Sequence, residues 1–153
     1  MSECALCGGD VQLIRERRKY RIKGRAVEVE VEFSRCGRCG EEQWTDEQVT
    51  QGQIAAAAVL RKSLNLLSPD EILRIRKSLG LTQDDFERLL GAGKKTAVRW
   101  ERGILPPSSA MNELIWLIGE DRKNAERLAL KHGVRLPRAA SAPAPAALRR
   151  KVS

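Results

Sequence analysis

The chain has 153 residues, 28 Lys+Arg against 20 Asp+Glu for a formal charge of +8, and 42% hydrophobic residues, enough for one large or two small folded cores. Its longest apolar run, Ile54 to Leu60, has seven residues, far short of the roughly 20 that a membrane span needs. Cys4, Cys7, Gly8 and Asp10 stand where the apolar stretch of a secretion signal would begin, so the expectation is a cytoplasmic protein that does not cross a membrane. The charge is unevenly shared. Residues 1–60 carry nine basic and ten acidic side chains, residues 61–133 fourteen and ten, and residues 134–153 five basic and no acidic ones. A neutral first part followed by a basic second part suggests that a polyanion meets the second half.

The first element is a split cysteine motif. Cys4-x2-Cys7 and Cys36-x2-Cys39 are each followed at once by glycine, Gly8 and Gly40. A C-x2-C turn aims two thiolates at one point a metal–sulfur bond away, ~2.3 Å for zinc, and glycine permits the positive φ angles of such a knuckle. Cys4, Cys7, Cys36 and Cys39 together predict a closed structural site for one Zn2+ per chain. Four cysteines also suit an iron–sulfur cluster. A disulfide framework fits poorly without a secretion signal, and a thioredoxin-like redox motif lacks its βαβ surroundings. Between the pairs, Val27, Val29, Val31 and Phe33 alternate with Glu28, Glu30 and Glu32, a strand with one apolar face. Val11 to Ile14 offers a partner strand, and Gly24 a place to turn back after Tyr20 and Ile22. Residues 1–45 read as a zinc-ribbon-like β domain.

Residues 46–67 read as a helical linker, with Ile54, Ala55 to Ala58, Val59 and Leu60 favouring helix. Ser68-Pro69-Asp70-Glu71 then opens a second domain, 68–133, with a capping box and a proline at the first helical position. Ile72 to Leu79 predicts its first helix, stopped by Gly80. Thr82 caps a second, Gln83 to Leu90, burying Phe86, Leu89 and Leu90. After the turn Gly91-Ala92-Gly93, a third helix is predicted from Lys94 or Lys95 to Arg102. A helix capped by Ser108 and another over Asp121 to His132 complete an all-α bundle, so the fold class is α+β in two domains.

Two short helices joined by a short glycine-containing turn are the helix-turn-helix pattern, whose second member enters the DNA major groove. Ala97, Val98 and Trp100 should pack inward, leaving Lys95, Thr96 and Arg99 polar near the start of that helix. Arginine suits a bidentate contact to guanine, and lysine a guanine edge or a phosphate. Gln83 and Lys94, near helix N-termini, would meet phosphates. Residues 134–153, rich in Ala, Pro and Arg, predict a disordered basic tail whose role is a flexible end or a non-specific phosphate contact.

The stretch Leu79 to Gly93, with Arg99 to Gly103 and Pro106, resembles the Xre/Cro-like helix-turn-helix family. A split CxxC ribbon ahead of that domain is similar to the MqsA (YgiT-type) zinc-finger antitoxins, over roughly residues 1–133. The resemblance implies zinc at Cys4, Cys7, Cys36 and Cys39 and DNA reading at Lys95 and Arg99. It also implies an N-terminal domain that binds a small ribonuclease toxin, and a C-terminal domain that dimerises and represses the operon at a palindrome. Leu114, Trp116 and Leu117 lie outside the recognition surface and are candidates for the dimer contact. Lys95 stands where asparagine is expected in such a helix.

The leading expectation is therefore an antitoxin and autorepressor, with a stand-alone zinc-containing transcriptional regulator as the alternative. A metalloenzyme is disfavoured, because the single histidine, His132, is remote from the cysteines, the metal site is saturated and no carboxylate pair forms a catalytic motif.

Overall fold

The computed structural model describes residues 3–138 and divides at 63/64 into two compact units. The first contains strands β1 (Val11–Ile22), β2 (Arg25–Cys36) and β3 (Glu42–Gln43), followed by helix α1 (Asp46–Leu64). The strands form one antiparallel sheet in the order β1-β2-β3. The expected partner strand at Val11 to Ile14 is the beginning of a 12-residue strand, in register from Val11 opposite Cys36 to Ile22 opposite Arg25. Lys23 (φ 50°) and Gly24 (φ 76°) close the hairpin. Two central residues with positive φ match the right-handed twist of the strands.

The alternation of β2 works as its spacing predicts, with Val27, Val29, Val31 and Phe33 all buried. The residues of β1 on the same face are Ile14, Glu16, Arg18 and Tyr20, opposite Phe33, Val31, Val29 and Val27. Charged side chains reach this face because their stems are apolar and their heads are paired. Arg18 and Arg35 each bond both Glu16 and Glu42, and both guanidinium groups lie over the Phe33 ring, which stacks on Trp44 at 4.7 Å.

The stretch read as a linker is one 19-residue helix grouped almost wholly with the sheet. Thr45 and Gln48 cap it reciprocally, each side chain accepting the other's backbone amide. Gly52 seats it on the hairpin so closely that a Cβ there would lie 2.5 Å from Tyr20 Oη.

The second unit holds α2 (Pro69–Ser78), α3 (Gln83–Leu90), α4 (Thr96–Glu101), α5 (Ser109–Glu120) and α6 (Arg122–His132). Its boundaries follow local chemistry. Ser68 and Glu71 form the expected capping box, Thr82, Ser108 and Asp121 each accept a first-turn amide, and Gly91 and Gly133 end α3 and α6 in the left-handed conformation. The core is Ile72, Ile75, Phe86, Leu89, Trp100, Ile115 and Ile118 with smaller residues around them. Gly119 lets α5 approach α2, since a Cβ there would meet Ile75 at 2.8 Å.

Two expectations need correction. The third helix was expected to include Lys94 or Lys95 and to reach Arg102. It spans six residues, and Lys95 is its cap, with a left-handed φ of 60°, so Lys95 and Arg99 are not successive positions of one helical face. The disordered tail was expected from residue 134, but Val134 is buried and Leu136 packs against the core. Residues 139–153, on which the rest of that expectation falls, lie outside the described residues.

A four-cysteine centre and a candidate nucleic-acid interface

The two knuckles are copies of one backbone device. Cys4 N donates to Gly9 O and Gly8 N to Cys4 O; Cys36 N donates to Glu41 O and Gly40 N to Cys36 O, at the same offsets. Gly8 (φ 65°) and Gly40 (φ 76°) supply the left-handed residue that lets each loop close. The hairpin register sets Cys36 opposite Val11, and Gly37 N donates to Asp10 O, tying the second knuckle to the exit of the first.

The four sulfur atoms consequently lie within 4.8 Å of one another. Cys4 and Cys39 sulfurs are 3.6 Å apart and Cys7 and Cys36 sulfurs 3.5 Å. A tetrahedral zinc–thiolate site places its sulfurs about 3.8 Å apart, so these residues fit a metal ion. The centre is closed, with Cys4 and Cys36 buried, Cys7 half-buried and Cys39 exposed. When bound, such an ion cross-links the two loops and leaves no coordination position for water.

The thiols are electrically unequal. Backbone amides of Cys39 and Arg38 directed at its sulfur draw the Cys36 thiol down to about 6. For Cys39 the Glu41 amide pulls downward, but the Cys7, Cys36 and Cys4 sulfurs and desolvation outweigh it and push the thiol up to about 12. Like charges crowded into one site separate in this way, and a cation removes the conflict. Arg38 adds a nearby positive charge and donates to Cys7 O.

Gly9 is the residue on which this packing depends. A Cβ there would lie 2.9 Å from Arg38 Cβ, 3.1 Å from Cys36 Sγ and 3.3 Å from Cys7 Sγ. Gly9→Ala is therefore expected to weaken metal affinity roughly 10–100-fold, the range for disturbed ligand surroundings, without altering the melting of the helical unit. Competition with a chelator of known affinity measures it, and unchanged affinity would refute the assignment of Gly9 as a packing requirement of the centre.

In the helical unit, Lys94, Lys95 and Arg99 are exposed around the start of α4, and Thr96 is half-buried. Ala97 and Trp100 are buried, whereas Val98 is only partly covered. Gln83 holds the first position of α3 as expected, but its side-chain Nε2 donates to Glu101 Oε2 at 2.8 Å.

Two residues that motif reading did not single out hold α4 in place. Glu87, 4% exposed, accepts from Lys95 N at 3.1 Å and Ala97 N at 2.8 Å. A buried carboxylate thereby satisfies amides at the helix start in the place of a capping side chain. Its position three before Leu90, on the apolar side of α3, was the available signal. At the other end, Glu101 binds Arg76 of α2 through both oxygens, at 2.5 and 3.0 Å, as well as Gln83 of α3.

A four-cysteine ribbon is followed in a second unit by a bundle of five helices. The chain belongs to the MqsA family: residues 2–126 match the family described as the antitoxin component of the bacterial toxin-antitoxin system, MqsA. No curated protein matches the chain. No helix among the described residues is long and apolar enough to cross a membrane.

Proposed function

We propose that the protein is the antitoxin of a type II toxin–antitoxin module and the repressor of its own operon, with one structural zinc ion per chain. The observation that carries the reading is the family match across both units, 2–126, a span that includes the four-cysteine centre and α4 together. A dimer joined through the helical unit would set two α4 helices about 34 Å apart, in successive major grooves of a palindrome. Arg99 and Lys95 read base edges, with Thr96 beside them, while Lys94 and the N-terminal end of α3 at Gln83 meet phosphates. Leu117, 45% exposed on α5, supports a dimer contact there together with Leu114 and Trp116.

The first unit holds the toxin, a small ribonuclease. β2 is paired with β1 along its whole length but with β3 only at Ser34 and Arg35, so Arg25 to Phe33 keeps a second edge that meets no strand among the described residues. Glu30, Glu32 and Glu47 line the groove beside it. A toxin strand added to that edge would use backbone hydrogen bonds for affinity and basic side chains for specificity.

Native mass spectrometry of the protein purified gently from its host tests the assembly. The expected mass is two chains of 17.1 kDa, two zinc ions and a small second protein. In parallel, Arg99→Ala should cost about 1–3 kcal/mol, roughly 5- to 150-fold, in binding the duplex upstream of the reading frame, with random-sequence binding much less affected. A zinc-loaded dimer with no protein partner under any growth condition would replace this reading with a plain repressor.

A further inference from the structure

The four-cysteine centre is covered on one side and open on the other. Cys4 and Cys36 are buried and Cys7 is half-buried, whereas Cys39 is exposed. Gly37, Arg38, Gly40 and Glu41 around it are exposed as well, so solvent reaches the second knuckle along its length. In a metal-bound centre all four sulfurs are thiolates. Exposure then decides which of them a dissolved oxidant meets first, and that sulfur is Cys39.

A sulfur oxidised at this position has its partner already in contact. Cys39 Sγ lies 3.6 Å from Cys4 Sγ, and Cys7 Sγ lies 3.5 Å from Cys36 Sγ. Both contacts run from one knuckle to the other, across 35 and 29 residues of chain. Within the second knuckle, the Cys36 sulfur is instead held by the Arg38 amide, and Gly40 N to Cys36 O closes the loop. A bond between Cys4 and Cys39 would tie the knuckles together as the ion does, and it would constrain the unfolded chain over a long loop. A bond inside the short Cys36-x2-Cys39 knuckle would do neither.

We propose that Cys39 is an oxidation site for hydroperoxides and that Cys4 resolves it, which makes the metal centre a peroxide-sensitive device. The Cys39 thiolate attacks one oxygen of hydrogen peroxide, the O–O bond breaks and hydroxide leaves, giving a sulfenic acid. The Cys4 thiolate attacks that sulfur, the S–O bond breaks, and a second hydroxide leaves as the S–S bond forms. Two protons from solvent convert the hydroxides to water. The sulfur pair has lost two electrons and the peroxide has gained them. Two thiolates are too few for a closed site, so the ion is released. Cys7 and Cys36, less exposed, follow as a second pair. This inference rests on the reading of the centre as a zinc site.

The test treats the zinc-loaded full chain with hydrogen peroxide and follows zinc release with a chromophoric chelator. Dimedone in a parallel sample traps sulfenic acid, and peptide mapping without reductant locates the label and the disulfides. The expected result is loss of the one zinc equivalent per chain in step with a Cys4–Cys39 bond, with dimedone on Cys39 and the Cys7–Cys36 bond appearing later. A thiol reductant followed by zinc should restore the starting mass and metal content. Dimedone on another cysteine ahead of Cys39, a first bond inside either knuckle or between two chains, or zinc fully retained in excess peroxide would each overturn the proposal. A Cys4–Cys39 bond formed in a chain that takes up no zinc would overturn the zinc reading alone.

Discussion

Cys36→Ser is expected to remove the bound metal and to release both knuckles at once, because the loops have little else to hold them. Each is closed by two backbone hydrogen bonds, and Gly37 N to Asp10 O ties the second to the exit of the first. Structural zinc supplies an apparent ~10–16 kcal/mol in small domains at neutral pH, far more than such loops gain from their own contacts. Cys36 is the most consequential of the four, since it is buried and its sulfur accepts the Arg38 amide. Metal content should fall from one equivalent per chain to near zero. Amides of Cys4, Gly8, Cys36 and Gly40 should lose protection from hydrogen exchange, while those around Leu89 and Ile115 in the helical unit stay protected. Chelation of the unaltered protein should give the same pattern. One full equivalent of metal retained by Cys36→Ser would mean that the ion is held elsewhere.

The cysteine spacing and the strand alternation were legible because each rests on local geometry. A C-x2-C-G segment closes the same loop wherever it occurs, and a period of two sorts Val27, Val29, Val31 and Phe33 onto one face regardless of the partner. The helix boundaries at Ser68, Thr82, Ser108 and Gly133 were legible for the same reason. What the sequence concealed depends on pairing across distance. The full length of β1 was hidden because Glu16 and Arg18 read as solvent-facing. They lie on the inner face only because Arg35 and Glu42, remote in sequence, complete the charge network over Phe33 and Trp44. The α1 contact was hidden because Gly52 reads as a weak point in a helix, whereas its missing side chain is what admits Tyr20.

Lys95 illustrates the limit at the candidate DNA interface. Propensity places it in the helix, since lysine is a good helix former. The carboxylate of Glu87, eight residues earlier, instead takes its amide and that of Ala97, and the backbone turns left-handed. Asparagine tolerates that conformation better than lysine does. The asparagine expected from the resemblance therefore has a backbone reason.

The Arg76–Glu101 pair sets the orientation of α4, and Glu101→Ala is expected to destabilise the helical unit by about 3–5 kcal/mol. A helix of six residues has little stability of its own, and this one is held at its start by Glu87 and at its end by Glu101. The side chains of Arg76 and Glu101 are 13% and 7% exposed, and Arg76 also donates to Leu81 O at 2.8 Å. Removing the carboxylate leaves a buried guanidinium without its counter-charge and frees the Gln83 amide from its acceptor. Replacing both partners, Arg76→Met with Glu101→Leu, should cost much less than the single change, because no buried charge is stranded. Urea unfolding of the three variants measures the difference; an equal loss for Glu101→Ala and the double variant would reject the stranded-charge account. Acid should act on the same pair. Burial raises the Glu101 carboxyl, but hydrogen bonds from Arg76 and Gln83 and the charges of Arg76 and Lys77 outweigh it and hold it below the ordinary glutamate value. Its contribution is therefore fully present above the ordinary carboxylate range and is lost as pH falls through the depressed folded value. Glu101→Gln should remove this component of acid sensitivity while keeping one hydrogen-bond acceptor for Arg76. Arg99 lies two residues from Glu101 on the same short helix, so under the proposed DNA-binding reading duplex binding should weaken in Glu101→Ala even where the unit remains folded, through misorientation of α4.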